Sequence, residues 1–314
     1  MAIIIGVDIG GSHVSSAAVD SESFKIMPKT YFCCAVDCMA AKETILQKWA
    51  EAINQTIEVL EKNQLILENE TIGISFSMPG PFQYESGVAM FKGNNKFESL
   101  FNVSVSDELL KYIKNKNVSF RFLNDASCFG VGSTLKQMTD SEHEKVIAIT
   151  LGTGFGATFL NDKLPLTQGL NVPNNGCLWD KPFEDDIADN YFSTRWFLKE
   201  YENASGITAK DGVKEIAALE NHSTAKIFDS FADNLTEFLS PYIINFDADL
   251  LVIGGNIAKS YKLFLSKLEE NFKSRDIDLA ISIIDETEET SILGSSYLYN
   301  DVFWERIKDE LPNF

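Results

Sequence analysis

At 314 residues the chain is about twice the length of a usual single domain, so two lobes are the first expectation. A hydrophobic content of 45% with 11% aromatics supplies enough material for large cores and excludes global disorder. The net charge of −19 argues against nucleic acid and anionic membrane as partners, since both select basic surfaces. A phosphate ligand remains compatible, because backbone N–H groups and a divalent cation can hold it without a basic patch.

In chain order, Ile3-Ile4-Ile5-Gly6-Val7 is a β-branched run that meets charge at Asp8, which reads as a buried strand rather than a signal peptide. The segment Asp8-Ile9-Gly10-Gly11-Ser12 breaks it, and His13 to Val19 resumes strand character. Residues 42–62 place Ile45, Leu46, Trp49, Ala52, Ile53, Ile57 and Leu60 at three- and four-residue spacing, an amphipathic helix. Strands are expected at 71–76 and 118–123, with a short helix at 106–114 between them.

The pattern then restarts. Val146 to Leu151 is a strand, Gly152-Thr153-Gly154-Phe155-Gly156 a turn, and Ala157 to Leu160 a strand again. A long helix at 223–244 shows Ile227, Phe231, Leu235, Phe238 and Tyr242 on one face. Strand 249–253 ends in Gly254-Gly255, followed by helix 259–272, strand 279–284 and a terminal helix over 292–308. Strand, glycine turn and strand thus occur twice, about 144 residues apart from Gly10 to Gly154, which is duplication at the scale of a lobe. Residues 161–192 carry Pro165, Gly169, Pro173, Gly176 and Pro182 with little periodicity, a long loop expected near the cleft.

The cysteines, Cys33, Cys34, Cys38, Cys128 and Cys177, are odd in number and scattered. The Cys33-Cys34-x-x-x-Cys38 cluster has no CxxC spacing and no neighbouring histidine, so incidental reduced thiols in a cytoplasmic protein are expected over a metal or redox site. No apolar run approaches the roughly 20 residues of a membrane span.

Gly10, Gly11 and Ser12 suit a phosphate, with amides that approach closely and a donating hydroxyl, and Asp8 beside them could orient Mg²⁺. An ordinary hairpin turn has the same composition. No helix follows these glycines and no GxxxxGK occurs, which excludes Rossmann and Walker loops. Gly152, Thr153 and Gly154 form a second candidate cradle, though any tight hairpin could use them. The two together are what gripping a triphosphate from both sides requires. Gly254 and Gly255 end a strand where a following helix N-terminus could take a nucleoside or phosphate.

Between the two turns lies Arg121-Phe-Leu-Asn124-Asp125-Ala126. Asp125 is the candidate general base toward a sugar hydroxyl, and Asn124 offers one donor and one acceptor. Either residue could instead cap the helix that follows, and both roles can coexist. Ser77-Met-Pro-Gly80-Pro81 and the loop Lys92-Gly-Asn94-Asn95-Lys96, flanked by Phe91 and Phe97, are candidate sugar contacts or plain turns.

These pieces in this order resemble the ROK family of repressors, open-reading-frame kinases and sugar kinases, within the actin-like ATPase superfamily. Asp8-Ile-Gly-Gly-Ser12, Ser77-Met-Pro-Gly-Pro81, Asn94-Asn95, Leu123-Asn124-Asp125-Ala126, Leu151-Gly-Thr-Gly-Phe-Gly156, Val252-Ile-Gly-Gly-Asn256 and Gly294 carry the likeness over almost the whole chain. The resemblance implies an α/β, two-lobed, duplicated ribonuclease H-like fold with a nucleotide cleft between lobes. Residues 1–123, completed by 292–314, would form the first lobe and 124–291 the second. It further implies a glucokinase-like enzyme using ATP and Mg²⁺, Asp125 as base, a hexose or N-acetylhexosamine as substrate, and a homodimer. Two departures stand out. Where members carry Glu-x-Gly-His, the comparable stretch is Asn171-Val-Pro-Asn174, so asparagines would hold the sugar, and the cysteine-rich zinc motif is missing, so no structural zinc is expected. His13 stands where many members have lysine. The competing expectation is a non-catalytic sugar or nucleotide sensor; a DNA-binding repressor is opposed by the acidity and by a first strand that begins at Ile3.

Overall fold

The computed structural model describes residues 3–66, 71–93, 96–136, 143–219 and 221–312. They divide into two compact units, Met1–Asp140 with Glu288–Phe314, and Ser141–Thr287.

The first unit is built on β1 (Ile3–Ile9), β2 (His13–Asp20), β3 (Lys25–Ile26), β4 (Phe32–Ala35) and β5 (Ile72–Met78). Three short strands, β6 (Phe82–Gln83), β7 (Val88–Ala89) and β8 (Val103–Ser104), form a separate small sheet before β9 (Val118–Asn124). The main sheet runs β3-β2-β1-β5-β9, with β4 also on β2. β2 is antiparallel to β1, whereas β5 and β9 are parallel additions. Helix α1 (Lys42–Lys62) supplies the crossover that parallel pairing of β5 demands, and α2 (Val105–Leu110) and α3 (Asp125–Lys136) flank β9.

The second unit repeats the plan. β10 (Lys145–Leu151), β11 (Phe155–Asn161) and β12 (Leu164–Leu166) are antiparallel neighbours. After the hairpin β13 (Pro182–Phe183) and β14 (Asp186–Ile187) come α4 (Ala188–Tyr191), α5 (Thr194–Ser205), α6 (Val213–Ala218) and α7 (His222–Phe246). β15 (Leu250–Gly254), α8 (Leu265–Ser274) and β16 (Ala280–Ile283) complete the order β12-β11-β10-β15-β16, with β15 and β16 parallel. Both sheets therefore share one order and one set of strand directions, the duplication anticipated from the two glycine turns. α9 (Thr287–Ser296) and α10 (Asp301–Ile307) follow.

The two faces of the first sheet differ in side-chain size. Ile3, Ile5, Val7 and Ile9 of β1 join Ile72, Ile74, Phe76 and Met78 of β5 in one core with Trp49, Ile53 and Ile57 of α1. On the opposite face Gly6, Gly73 and Ser75 are small. Gly6 lies under α9, where a Cβ would stand 2.6 Å from the Ile292 carbonyl oxygen. Ser75 bonds Ser295 at 3.2 Å, and a Cβ at Gly73 would meet the Tyr299 ring at 2.7 Å. α3 and α9 also touch backbone to backbone. A Cβ on Gly294 would sit 1.8 Å from the Cys128 carbonyl oxygen, and one on Gly132 would sit 1.9 Å from that of Thr290.

Several sequence expectations shift. The terminal helix expected over 292–308 starts earlier, at Thr287, and breaks at a 3₁₀ turn, Tyr297–Tyr299, before α10. The segment after Gly254-Gly255 is not an α-helix start but a 3₁₀ stretch, Ala258–Leu263, ahead of α8. The division into units also differs from the expected boundary at 123/124. It assigns α3 to the first unit, consistent with its backbone contact to α9.

Replacing Gly294 by alanine is expected to destabilise the protein by about 3 kcal/mol, since neither facing backbone can give way. Gly152→Ala, whose Cβ would meet nothing within 4 Å, is expected to change stability by less than about 0.5 kcal/mol. Urea denaturation of the pair checks this, and equal effects would contradict the helix contact.

Candidate active site

In the first unit, β1 and β2 are joined by the three residues Gly10, Gly11 and Ser12. The Gly10 N–H donates to the His13 carbonyl at 2.9 Å, and the Ser12 carbonyl accepts from Val36 N–H at 2.9 Å, so the turn is fixed on both sides. Asp8, one residue before the end of β1, accepts from Ser77 Oγ at 2.7 Å. Burial raises its pKa to about 7; the Ser77 bond opposes this, and the carboxylates of Asp125 and Glu288 add to it.

Asp125 opens α3, directly after β9. Its Oδ1 accepts from the Ala126 N–H at 2.9 Å and from Asn124 Nδ2 at 3.0 Å. Asn124 in turn caps the helix, its Oδ1 taking the N–H groups of Ala126 at 3.1 Å and Ser127 at 3.3 Å, while Nδ2 also reaches Tyr84 Oη at 3.2 Å. The capping role is therefore real and holds Asp125 in place. Burial raises the Asp125 pKa, opposed by the Ala126 amide, the charge of Lys96 and Asn124. A carboxylate with increased proton affinity is what a general base near neutral pH needs.

Sequence reasoning missed a polar cluster beside this turn. His13 Nε2 lies 3.0 Å from Glu288 Oε1, and His13 Nδ1 lies 3.3 Å from Ser12 Oγ. Glu288 Oε2 accepts from Tyr31 Oη at 2.7 Å and Ser15 Oγ at 2.9 Å. His13, then the two hydroxyls, hold the Glu288 pKa down to about 2 against partial burial, and Glu288 raises that of His13. No motif marks Glu288; its only signal is an acidic first turn on the helix that carries Gly294. Lys96 was also hidden, grouped by sequence with a polar loop. Its Cε lies 3.6 Å from where a Cβ on Gly11 would stand.

In the second unit the three residues Gly152, Thr153 and Gly154 join β10 to β11. The Gly152 carbonyl accepts from Thr194 N–H at 2.8 Å and Oγ1 at 3.0 Å, and the Thr153 carbonyl from Arg195 Nη1 at 2.9 Å. In a trans peptide C=O and N–H point oppositely, so the amides of Thr153 and Gly154 turn to the other side, the arrangement of an anion nest. Asp189 braces the turn, accepting from Phe155 N–H at 2.7 Å and pairing with Arg195. Thr194, Arg195 and Asp189 carry no sequence signal of this role. Gly255 has a packing role: with φ of 94°, a Cβ there would stand 2.3 Å from the Leu151 carbonyl oxygen, and its N–H donates to Thr287 Oγ1 at 2.7 Å. Gly254 closes β15 opposite Thr150.

Of the expected sugar contacts, Gly80 follows β5 in the first unit, while Asn171 and Asn174 are exposed on the 161–192 loop of the second. Asn94 and Asn95 lie outside the described residues. That loop contains more structure than expected, β12, the β13–β14 hairpin and a 3₁₀ turn at Asn174–Gly176. Among the described residues no group of three His, Cys, Asp or Glu comes together as a metal site, and no helix is long and apolar enough to cross a membrane.

Residues 4–299 match the ROK family. The chain belongs to that family. It is 28% identical over 298 residues to a glucokinase of Thermotoga maritima, covering 85% of this chain and 86% of that one. It is 24% identical over 274 residues to an N-acetylgalactosamine kinase of Shewanella sp. strain ANA-3, covering 81% and 82%. A ROK family glucokinase of Streptomyces griseus, solved with glucose and AMPPNP, superposes with a TM-score of 0.69 at 18% identity, over 95% of this chain and 99% of that one. The fold is that of the actin-like ATPases.

The His13–Glu288 pair gives a pH prediction. Glu288, with a lowered pKa, adds stability above about pH 4.5 that is lost toward pH 2; His13, with a raised pKa, adds stability below about pH 6.5 that is lost as pH rises through its folded value. The pair thus stabilises most between those limits, by no more than about 1 kcal/mol because both groups are half-exposed. Wild type should melt above Glu288→Gln at pH 5.5, and the gap should narrow by pH 8.5. A gap that widens with pH would reverse the assignment.

Proposed function

We propose that this ROK protein is an ATP-dependent sugar kinase that transfers the γ-phosphate to a hydroxyl of a hexose or N-acetylhexosamine. The observation that carries this is the partly buried Asp125 carboxylate, held by Asn124 and the Ala126 amide at the start of α3, in the same unit as Asp8 and the Gly10–Ser12 turn. In this reading Asp125 accepts the hydroxyl proton as the sugar oxygen bonds to phosphorus and the bond to the leaving ADP oxygen breaks. Gly10, Gly11 and Ser12 and the nest of Gly152, Thr153 and Gly154 are assigned to phosphate, with Gly254 and Gly255 bordering the nucleotide. Sugar is assigned to Asn124, Gly80, Asn94, Asn95, Asn171 and Asn174, where neutral amides take the place of an acidic and an imidazole ligand.

The residues fit Mg²⁺ arriving with ATP. Asp8 is a hard oxygen ligand whose raised pKa reflects a buried negative charge among other carboxylates, a site where a cation is welcome. Bound there, Mg²⁺ would neutralise phosphate charge, and Asp8, oriented by Ser77, would hold it or its waters. The kinship with kinases of glucose and N-acetylgalactosamine supports the substrate class. A homodimer is proposed on family resemblance, and a cytoplasmic location on cysteines that are all unpaired.

Asp125→Asn keeps the helix-start hydrogen bonds but removes the base, so kcat should fall about 10²- to 10⁴-fold while the sugar Kd stays nearly constant. Coupled ATP-consumption assays across hexoses, N-acetylhexosamines and their epimers, with calorimetry for binding, test both. Undiminished turnover in the variant would remove Asp125 from the mechanism. Sugar binding without ATP consumption in the wild type would favour a sensor.

A further inference from the structure

The first-unit site gathers three carboxylates, and two of them, Asp125 and Glu288, bear on the charge of the third, Asp8. Glu288 is matched by His13. The remaining two share the unit with the proposed phosphate turn, where a nucleotide would bring further negative charge. Phosphoryl transfer spreads that charge over three oxygens, and a fixed cation beside them is among the largest contributions a protein can make.

Lys96 is placed for this by the residue that follows it. Phe97 is fully buried, with its ring centroid 5.4 Å from that of Trp49 and 5.6 Å from that of Phe91, and its N–H donates to the Cys38 carbonyl at 2.8 Å. Its φ of 55° turns the chain sharply at the anchor. The Lys96 stem then runs over the glycine turn. A Cβ on Gly11 would lie 3.6 Å from Lys96 Cε, 3.7 Å from Cδ and 3.9 Å from Nζ. The charge of the same ammonium favours the ionised form of Asp125. A single cation therefore lies over the proposed phosphate turn and acts on the charge of the proposed base.

We propose that Lys96 is the cation that binds the phosphoryl group in transit, between the Gly10–Ser12 turn and Asp125. The proposal rests on the kinase reading above and adds a catalytic residue to it. The lysine stem lies within ordinary van der Waals reach of a Cβ at Gly11, so stem and turn are in register with each other.

The test uses Lys96→Met and Lys96→Arg in the full chain. Lys96→Met should lower kcat about 10²- to 10³-fold and leave sugar affinity within about twofold. It should weaken ATP more than ADP in calorimetric titrations, since the contact is to the terminal phosphate. The acid limb of the kcat/KM profile should move to higher pH, because Asp125 loses a neighbouring cation. Lys96→Arg should restore a substantial part of kcat. Equal losses of ATP and ADP affinity, an unmoved pH limb, or loss in both variants together with a lowered Tm would overturn the proposal. If the wild type consumes no ATP with any sugar, the kinase reading fails separately. The ATP-versus-ADP comparison still decides whether Lys96 meets the terminal phosphate.

Discussion

Two helices lie against one face of the first sheet closely enough that their nearest contacts fall on glycine and serine. Gly6, Gly73 and Ser75 line the strands, and Gly132 and Gly294 mark where α3 and α9 meet backbone to backbone. Close packing of this kind resists change in either direction, since added atoms have nowhere to go and removed ones leave a gap that the backbone cannot close. The site depends on it. Asp125 opens α3, Glu288 lies at the start of α9, and Asp8 sits on the strand they cover. Fixing the helices on the sheet fixes three acidic groups as a set.

Each acidic group then has a different fate. Glu288 is held ionised by His13 and two hydroxyls, Asp8 is pushed toward neutrality by burial, and Asp125 is raised by burial but tempered by its amide bond, Lys96 and Asn124. Similar carboxylates thus acquire separate tasks through their surroundings. The second turn is built otherwise. Its braces act on carbonyl groups, through Thr194 and Arg195, and impose a backbone orientation rather than a protonation state.

Much of the fold was legible because strands and glycine turns leave strong local marks. The β-branched runs at Ile3–Ile9 and Lys145–Leu151 and the apolar face of α1 are visible in sequence, and so was the duplication. Asn124 and Asp125 stood out as polar residues at a strand's end, and the capping role weighed for them is the one the hydrogen bonds show. The break after Tyr299 and the 3₁₀ stretch after Gly255 were not, since tertiary contacts decide them: Tyr299 turns under the sheet to reach Ser119, and Gly255 is pinned by Thr287. Glu288 and Lys96 were hidden for another reason. Each acts on groups hundreds or tens of residues away in sequence, and a charged side chain in a polar segment looks the same whether it faces water or a buried site.

The three-residue length of the first turn is tied to the strand it feeds. Along β2 the side chains alternate between the α1 face, with Val14, Ser16 bonded to Thr56, and Ala18, and the α9 face, with Ser15 bonded to Glu288, Ala17 and Val19. One residue gained or lost in the turn would reverse that alternation along the whole strand. A ligand loop of this kind is therefore dimensioned by the packing of the strand behind it, and neither can change length alone.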